Sequence, residues 1–177
     1  MGIETLNMHM TISKERPQDI EAISRLTEAA FRNEEYSSHT EHFIVNALRR
    51  TGQLSISLVA AEHDEILGHV AISPVSISSG VTGWYGLGPI SVRPDRQGKG
   101  KGIGSALMKA ALQQLRQQGA AGCVVLGDPA YYGRFGFKAH PGLELPDVPP
   151  EYFQALSFTG ELPVGVVKYA AAFDARE

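Results

Sequence analysis

Between Trp84 and Leu115 the sequence runs an irregular strand directly into a glycine-alternating loop and then into a helix. Trp84 to Val92 has the apolar content of a strand, but Gly86, Gly88 and Pro89 interrupt it. Proline has no N–H for a ladder, so a strand holding it internally is bulged or unpaired there. Gly98, Gly100, Gly102 and Gly104 follow in alternation. Ile103, Leu107, Ala111 and Leu115 then recur at four-residue steps, an amphipathic helix that Gly119 ends. Glycine lets a backbone approach a ligand closely and adopt positive φ. The free N–H groups and positive dipole end of the following helix suit a phosphate or pyrophosphate. Arg93, Arg96, Lys99 and Lys101 add cations to the same loop.

Two commoner phosphate loops do not fit. A Walker A loop needs Gly-Lys followed by Ser or Thr, whereas Gly98-Lys99 and Gly100-Lys101 are each followed by glycine. A dinucleotide loop needs glycines at relative positions 1, 3 and 6; counted from Gly98 or Gly100, the sixth residue is Ile103 or Ser105. The pattern that does match is Gln/Arg-x-x-Gly-x-Gly, over Gln97-Gly98-Lys99-Gly100-Lys101-Gly102.

The rest of the chain reads as alternating elements of one α/β unit. Met8, Met10 and Ile12 alternate as a short strand. Ile20, Ile23, Leu26 and Ala30 form one face of a helix over about 17–31, with Pro17 in its first turn. Phe43, Ala47 and Leu48 suggest a second helix from Thr40, a plausible N-cap, to Arg50. Leu54 to Ala60 and Ile66 to Ile72 read as a hairpin around His63-Asp64-Glu65, with Ser55, Ser57 and Val59 on the alternate face. Cys123 to Leu126 is a short buried strand, Pro129 to Arg134 one or two helical turns, and Val166, Val167 and Tyr169 a last strand beyond a proline-rich tail. A chain of 177 residues with 43% hydrophobic and 20% charged residues is a single globular domain over 1–177 by default.

Charge and cysteine usage exclude several classes. Sixteen basic against nineteen acidic residues leaves a net charge of −3, which argues against a non-specific nucleic-acid binder. The one cysteine allows neither an internal disulfide nor a multi-thiolate metal site. No apolar run reaches the ~18 residues of a membrane helix, and there is no basic-then-apolar leader. The expectation is a cytoplasmic protein with no membrane or nucleic-acid partner and no metal. Oligomeric state stays open, a homodimer being merely the commonest assembly.

Three segments together resemble the GNAT N-acetyltransferase superfamily, and its YhbS-like branch in particular: Val92-x-Pro94-x-x-Gln97 leading into the glycine loop, Gly127-Asp128-Pro129-Ala130-Tyr131-Tyr132-Gly133-Arg134-Phe135-Gly136-Phe137, and Pro149-Pro150-Glu151-Tyr152-Phe153. The resemblance implies the GNAT acyl-CoA N-acyltransferase fold, a mixed, splayed β-sheet flanked by helices. It implies acetyl-CoA as co-substrate, bound where two parallel strands part, with the splay beginning at Leu87-Gly88-Pro89. Main-chain groups along Ile90, Ser91 and Val92 would meet the pantetheine. Gln97, Gly98, Lys99, Gly100, Lys101, Gly102, Ile103 and Gly104 would hold the pyrophosphate, and Asp128 would organise the short helix or touch the pantetheine. Gln97 and Gly102-Ile103-Gly104 lie two residues further apart than in family members, so either Gly100-x-Gly102 or Gly102-Ile103-Gly104 makes the phosphate contact.

The implied chemistry is acetyl transfer to the primary amine of a small molecule or peptide, by direct attack in a ternary complex. Tyr132, in Tyr-x-x-x-Gly-Phe, is the expected acid for the departing thiolate, since a phenol with a pKa of ~10 stays protonated at neutral pH. Tyr131 reads as packing. Asp128 beside Pro129 is a natural helix N-cap. Glu35 and Glu41 are weak candidates for a base, His39 and His42 read as surface residues, and Trp84-Tyr85 as strand packing. The alternative function is a CoA-binding sensor that keeps the loop without turnover.

Overall fold

The computed structural model describes residues 10–35, 37–97 and 102–177. Among them eight strands join in one mixed sheet. The strands β1 (Met10–Lys14), β2 (Ile56–Glu62), β3 (Glu65–Ile77) and β4 (Trp84–Val92) are successive antiparallel neighbours. Next to β4 lies β5 (Gly122–Leu126), parallel to it, and β7 (Phe153–Ser157) returns antiparallel to β5. The far end of β3 pairs with β8 (Gly165–Tyr169), which also pairs with the two-residue β6 (Leu143–Glu144). Besides the last strand expected at Val166 to Tyr169, two more close the sheet, so there are three. Proline density from 141 to 163 hides β7, whose Phe153 and Ala155 face the core.

The β2–β3 turn forms because His63 and Asp64 both take positive φ, 52° and 64°, the geometry whose twist matches two-residue hairpins. The helices are α1 (Ile20–Phe31), entered through a 3-10 turn at Pro17–Asp19, α2 (Glu41–Arg50), α3 (Ile103–Gln117) and the short α4 (Pro129–Tyr132). Thr40 stands at the N-cap of α2, but its hydroxyl bonds Ser38 Oγ at 2.6 Å and does not cap the helix. No helix among the described residues is long and apolar enough to cross a membrane.

Helices cover both faces of the central strands, so both alternating faces of the hairpin are packed. On one face α3 places Ile103, Leu107, Met108, Ala111, Leu112 and Leu115 against Leu58, Val70, Ile72, Leu87 and Val125. On the other, Ile23 of α1 and Val45 of α2 pack on Val59 and Ala71. Every residue of β3 from Leu67 to Ser73 is therefore buried.

Polar side chains on the α1/α2 face are buried as well. Ser57 and His69 are 6% and 0% exposed, and Ser57 Oγ lies 2.7 Å from His69 Nε2 and hydrogen-bonds Glu15. Arg49 donates to both carboxylate oxygens of Glu15, at 2.9 and 2.8 Å. A hydroxyl has one proton and a carboxylate only accepts, so Ser57 donates to Glu15 and His69 Nε2–H donates to Ser57. Burial lowers the His69 pKa to about 4, so the ring is neutral. Burial raises the Glu15 carboxyl, but the Arg49 and Ser57 hydrogen bonds outweigh that and leave it below its ordinary value.

Candidate active site

Strands β4 and β5 are paired only from Trp84/Gly122 through Gly86/Val124. Beyond Gly86 the β4 chain carries two residues, Gly88 and Pro89, where β3 carries only Ala71 between Val70 and Ile72. That bulge, with a cis Gly88–Pro89 peptide and φ 142° at Gly88, sits where the expected splay begins. From there β4 continues along β3 without β5.

Ladder alternation decides which backbone groups look into the gap. Arg93 N–H donates to Leu67 carbonyl at 2.8 Å, so Arg93 and, two residues back, Ser91 turn their backbone groups toward β3. Those of Ile90 and Val92 turn away from β3, toward the side that β5 has left. Ser91 itself is 3% exposed, with its Oγ buried among groups on the α1/α2 face. Gln97 Nε2 donates to the Val92 carbonyl at 2.8 Å, folding the start of the glycine loop back onto β4.

At one end of the gap stands the N-terminus of α3. Gly102, at its N-cap, has φ 69°, a left-handed conformation natural to glycine. Ala106 N–H reaches the Gly102 carbonyl at 3.0 Å, which leaves the N–H groups of Ile103, Gly104 and Ser105 without an intrahelical acceptor. The Ile103 side chain is 4% exposed and belongs to the core, so this residue offers only its backbone. Gly98, Lys99, Gly100 and Lys101 lie outside the described residues. Arg93 is not a free loop cation: it pairs with Asp95 at 2.8 Å and Glu65 at 2.9 Å. Arg96 pairs with Glu62 at 3.3 Å.

On the β5 side of the gap, the strand runs into Gly127 and α4. Asp128 Oδ1 accepts from Ala130 N–H at 2.9 Å, an N-cap bond that sets the short helix. The Tyr132 ring lies on the bare α-carbon of Gly127, edge-on to Tyr131 at 5.0 Å and to Phe137 at 6.2 Å. Burial, with Tyr131 and Asp128 nearby, pushes the Tyr132 phenol up to about 12. Burial also raises the Tyr169 phenol, with Cys123 and Tyr132 acting in the same direction. Tyr132 is thus within electrostatic reach of a ring that rests on Gly86, the last paired residue of β4.

Tyr131 holds a place that sequence reasoning missed. Its hydroxyl would stand 2.8 Å from a Cβ at Gly104, one residue before Ser105, to which Arg134 Nη2 donates at 2.9 Å. Arg134 stacks over the Tyr131 ring at 5.0 Å. Residues 131 and 134 thereby tie α4 to the first turn of α3, a link that local periodicity cannot reveal.

One other reading changes with the structure, and the rest hold. His42 is not a surface residue: it is 8% exposed and lies 3.1 Å from a Glu28 carboxylate oxygen. Glu41 accepts from Ser37 Oγ at 2.7 Å, and Glu35 is exposed. Trp84 is core, stacked against the bare Gly122. Burial raises the Cys123 thiol far above its ordinary value, so it is no nucleophile.

A splayed parallel pair, with a helix N-terminus on its β4 side and a half-buried tyrosine on its β5 side, defines a class. The family model described as an acetyltransferase (GNAT) domain matches residues 11–139, and the chain belongs to the GNAT acetyltransferase family. Within it the chain is 36% identical to the N-acetyltransferase YhbS of Escherichia coli over 130 residues, 73% of this chain and 74% of that one. The crystal structure of YhbS in complex with CoA superposes with a TM-score of 0.81 at 32% identity, covering 94% of this chain and 92% of that one. A GNAT family acetyltransferase from Brucella melitensis in complex with acetyl-CoA is 53% identical, with a TM-score of 0.83 over 94% of this chain and 99% of that one.

Proposed function

We propose that this protein is an acetyl-CoA-dependent N-acetyltransferase that moves the acetyl group directly to a primary amine in a ternary complex. The observation that carries the reading is the backbone of Ile90 and Val92, turned into a gap that β5 has left unpaired. An extended pantetheine arm meets such groups much as an added strand would. The pyrophosphate then falls to the glycine loop at the N-terminus of α3, where free N–H groups and the helix dipole favour an anion. Within this reading Gln97 braces the loop against β4, Asp128 sets α4, and Ser91 backs the cleft from the α1/α2 side. The whole chain acts as one unit, since β7 and β8 from its last third pair with β5 and β3.

The amine nitrogen attacks the thioester carbonyl carbon; the C–N bond forms and the C–S bond breaks. The leaving thiolate takes the Tyr132 hydroxyl proton, and the proton shed by the amine restores the phenol through solvent. A phenol held near 12 stays protonated until the thiolate departs.

Calorimetric titration with acetyl-CoA, alongside release of free CoA across a panel of primary amines, tests the proposal. Binding with turnover on at least one amine is expected. Binding without turnover on any of them would identify a CoA-binding sensor, and equal affinity for ATP a nucleotide-phosphate binder.

A further inference from the structure

Gln154 on β7 is 2% exposed, and its side-chain Nε2 donates to the Gly127 carbonyl at 3.1 Å. The Gly127 N–H donates in turn to the Tyr152 carbonyl at 2.9 Å. Both polar groups of Gly127 are therefore held by β7 and the residue that leads into it, one step beyond the last register pair, Leu126 with Phe153. That step matters because β5 has lost β4 as a neighbour after Val124, and among the described residues β7 is the strand that still pairs with the end of β5.

Two features carry this constraint to Tyr132. Gly127 bears the Tyr132 ring directly on its α-carbon. The next residue, Asp128, accepts the N–H groups of Tyr131 and Tyr132 at 3.1 and 3.0 Å and so starts α4. A buried amide spent on a turn carbonyl is otherwise unexpected, because a buried Gln loses its hydration and the apolar positions around it favour a hydrocarbon side chain.

We infer that Gln154 is a positioning residue that, through the Gly127 carbonyl, holds the Tyr132 hydroxyl at the mouth of the β4–β5 gap. The inference rests on the reading of Tyr132 as the acid for the leaving thiolate. Displacing a reacting group by about 1 Å costs up to ~10²-fold in rate, and loosening a single hydrogen bond is expected to cost about 10-fold.

The test is a double-mutant cycle of Gln154→Met and Tyr132→Phe, read as kcat for CoA release on the best primary amine and as the Kd of acetyl-CoA. Gln154→Met keeps the length of the side chain and removes the donor. It is expected to lower kcat about 10-fold with Kd within about two-fold, and to add no further loss in the Tyr132→Phe background. An equal loss in both backgrounds, or an unchanged kcat in the single variant, would overturn the role of Gln154. Wild-type kcat in Tyr132→Phe alone would overturn the acid reading instead, and the proposal with it.

Gln154→Asn, which keeps the amide but shortens its reach, provides a second variant should the methionine disturb folding. In it, NMR of carbon-labelled tyrosine is expected to show the Tyr132 phenol titrating closer to its ordinary value of ~10. A lost kcat with an unmoved Tyr132 titration would again overturn the positioning role.

Discussion

The ring of Tyr169 lies on the bare α-carbon of Gly86, at the last rung where β4 and β5 are paired. A side chain at position 86 would meet that ring and, 3.1 Å away, Val75 Cγ1. The two strands thus part over a floor laid by β8, from the far end of the chain. Gly86→Ala is expected to destabilise the fold by about 1–3 kcal/mol, the usual cost of overpacking. Gly133→Ala, where no heavy atom lies within 4 Å of the new Cβ, should change stability by no more than about 0.5 kcal/mol. Urea unfolding of the two variants gives the comparison.

Removing the Tyr132 hydroxyl keeps the ring and its packing. Tyr132→Phe is expected to lower kcat by about 10²–10⁴-fold while acetyl-CoA affinity stays within a few-fold. Tyr131→Phe should do the reverse, because its hydroxyl lies against Gly104 in the first turn of α3. There kcat holds and acetyl-CoA binding weakens a few-fold. Steady-state kinetics with calorimetry on both variants separates the roles, and equal effects at the two positions would remove the assignment of the acid.

The buried His69 makes the fold sensitive to mild acid. Its folded pKa of about 4 lies below the ordinary 6.5, so between these values the unfolded chain takes up a proton that the native one refuses. Stability therefore falls as pH drops through that window, by at most about 1.4 kcal/mol per pH unit from this one group. Glu15, lowered in the fold, acts in the same sense: its contribution is present above its ordinary value of 4.5 and is lost as pH falls through the lowered one. Melting temperatures between pH 4 and 7 should show a slope that His69→Leu flattens above Glu15's range; an unchanged slope would assign the acid lability elsewhere.

Ion pairs of unequal burial should weigh differently. The Glu15 and Arg49 side chains are 14% and 19% exposed, and Glu15 also serves Ser57. Glu15→Ala leaves both partners short and is expected to cost about 1–3 kcal/mol. Arg93 and Asp95 are 31% and 60% exposed, and Asp95→Ala should cost less than about 1 kcal/mol. Denaturant midpoints of the two variants test the ranking.

Local chemistry alone made much of the site legible. Pro89 inside an apolar strand required a break, alternate glycines before a four-residue apolar spacing required a turn into a helix, and Asp128-Pro129 required a helix start. Each is a constraint that neighbouring residues place on one another, so it can be read in one dimension. What the sequence could not determine is what distant segments do to one another. Gln154 reaches Gly127, Tyr131 reaches Gly104, and Arg49 and Ser57 converge on Glu15, each across a separation no periodicity spans. The hairpin's alternation separates two faces but does not say which is covered; packing α3 on one side and α1 and α2 on the other buried both. Burial of a polar residue depends on which elements end up stacked above it, and that is settled only when the whole sheet is assembled.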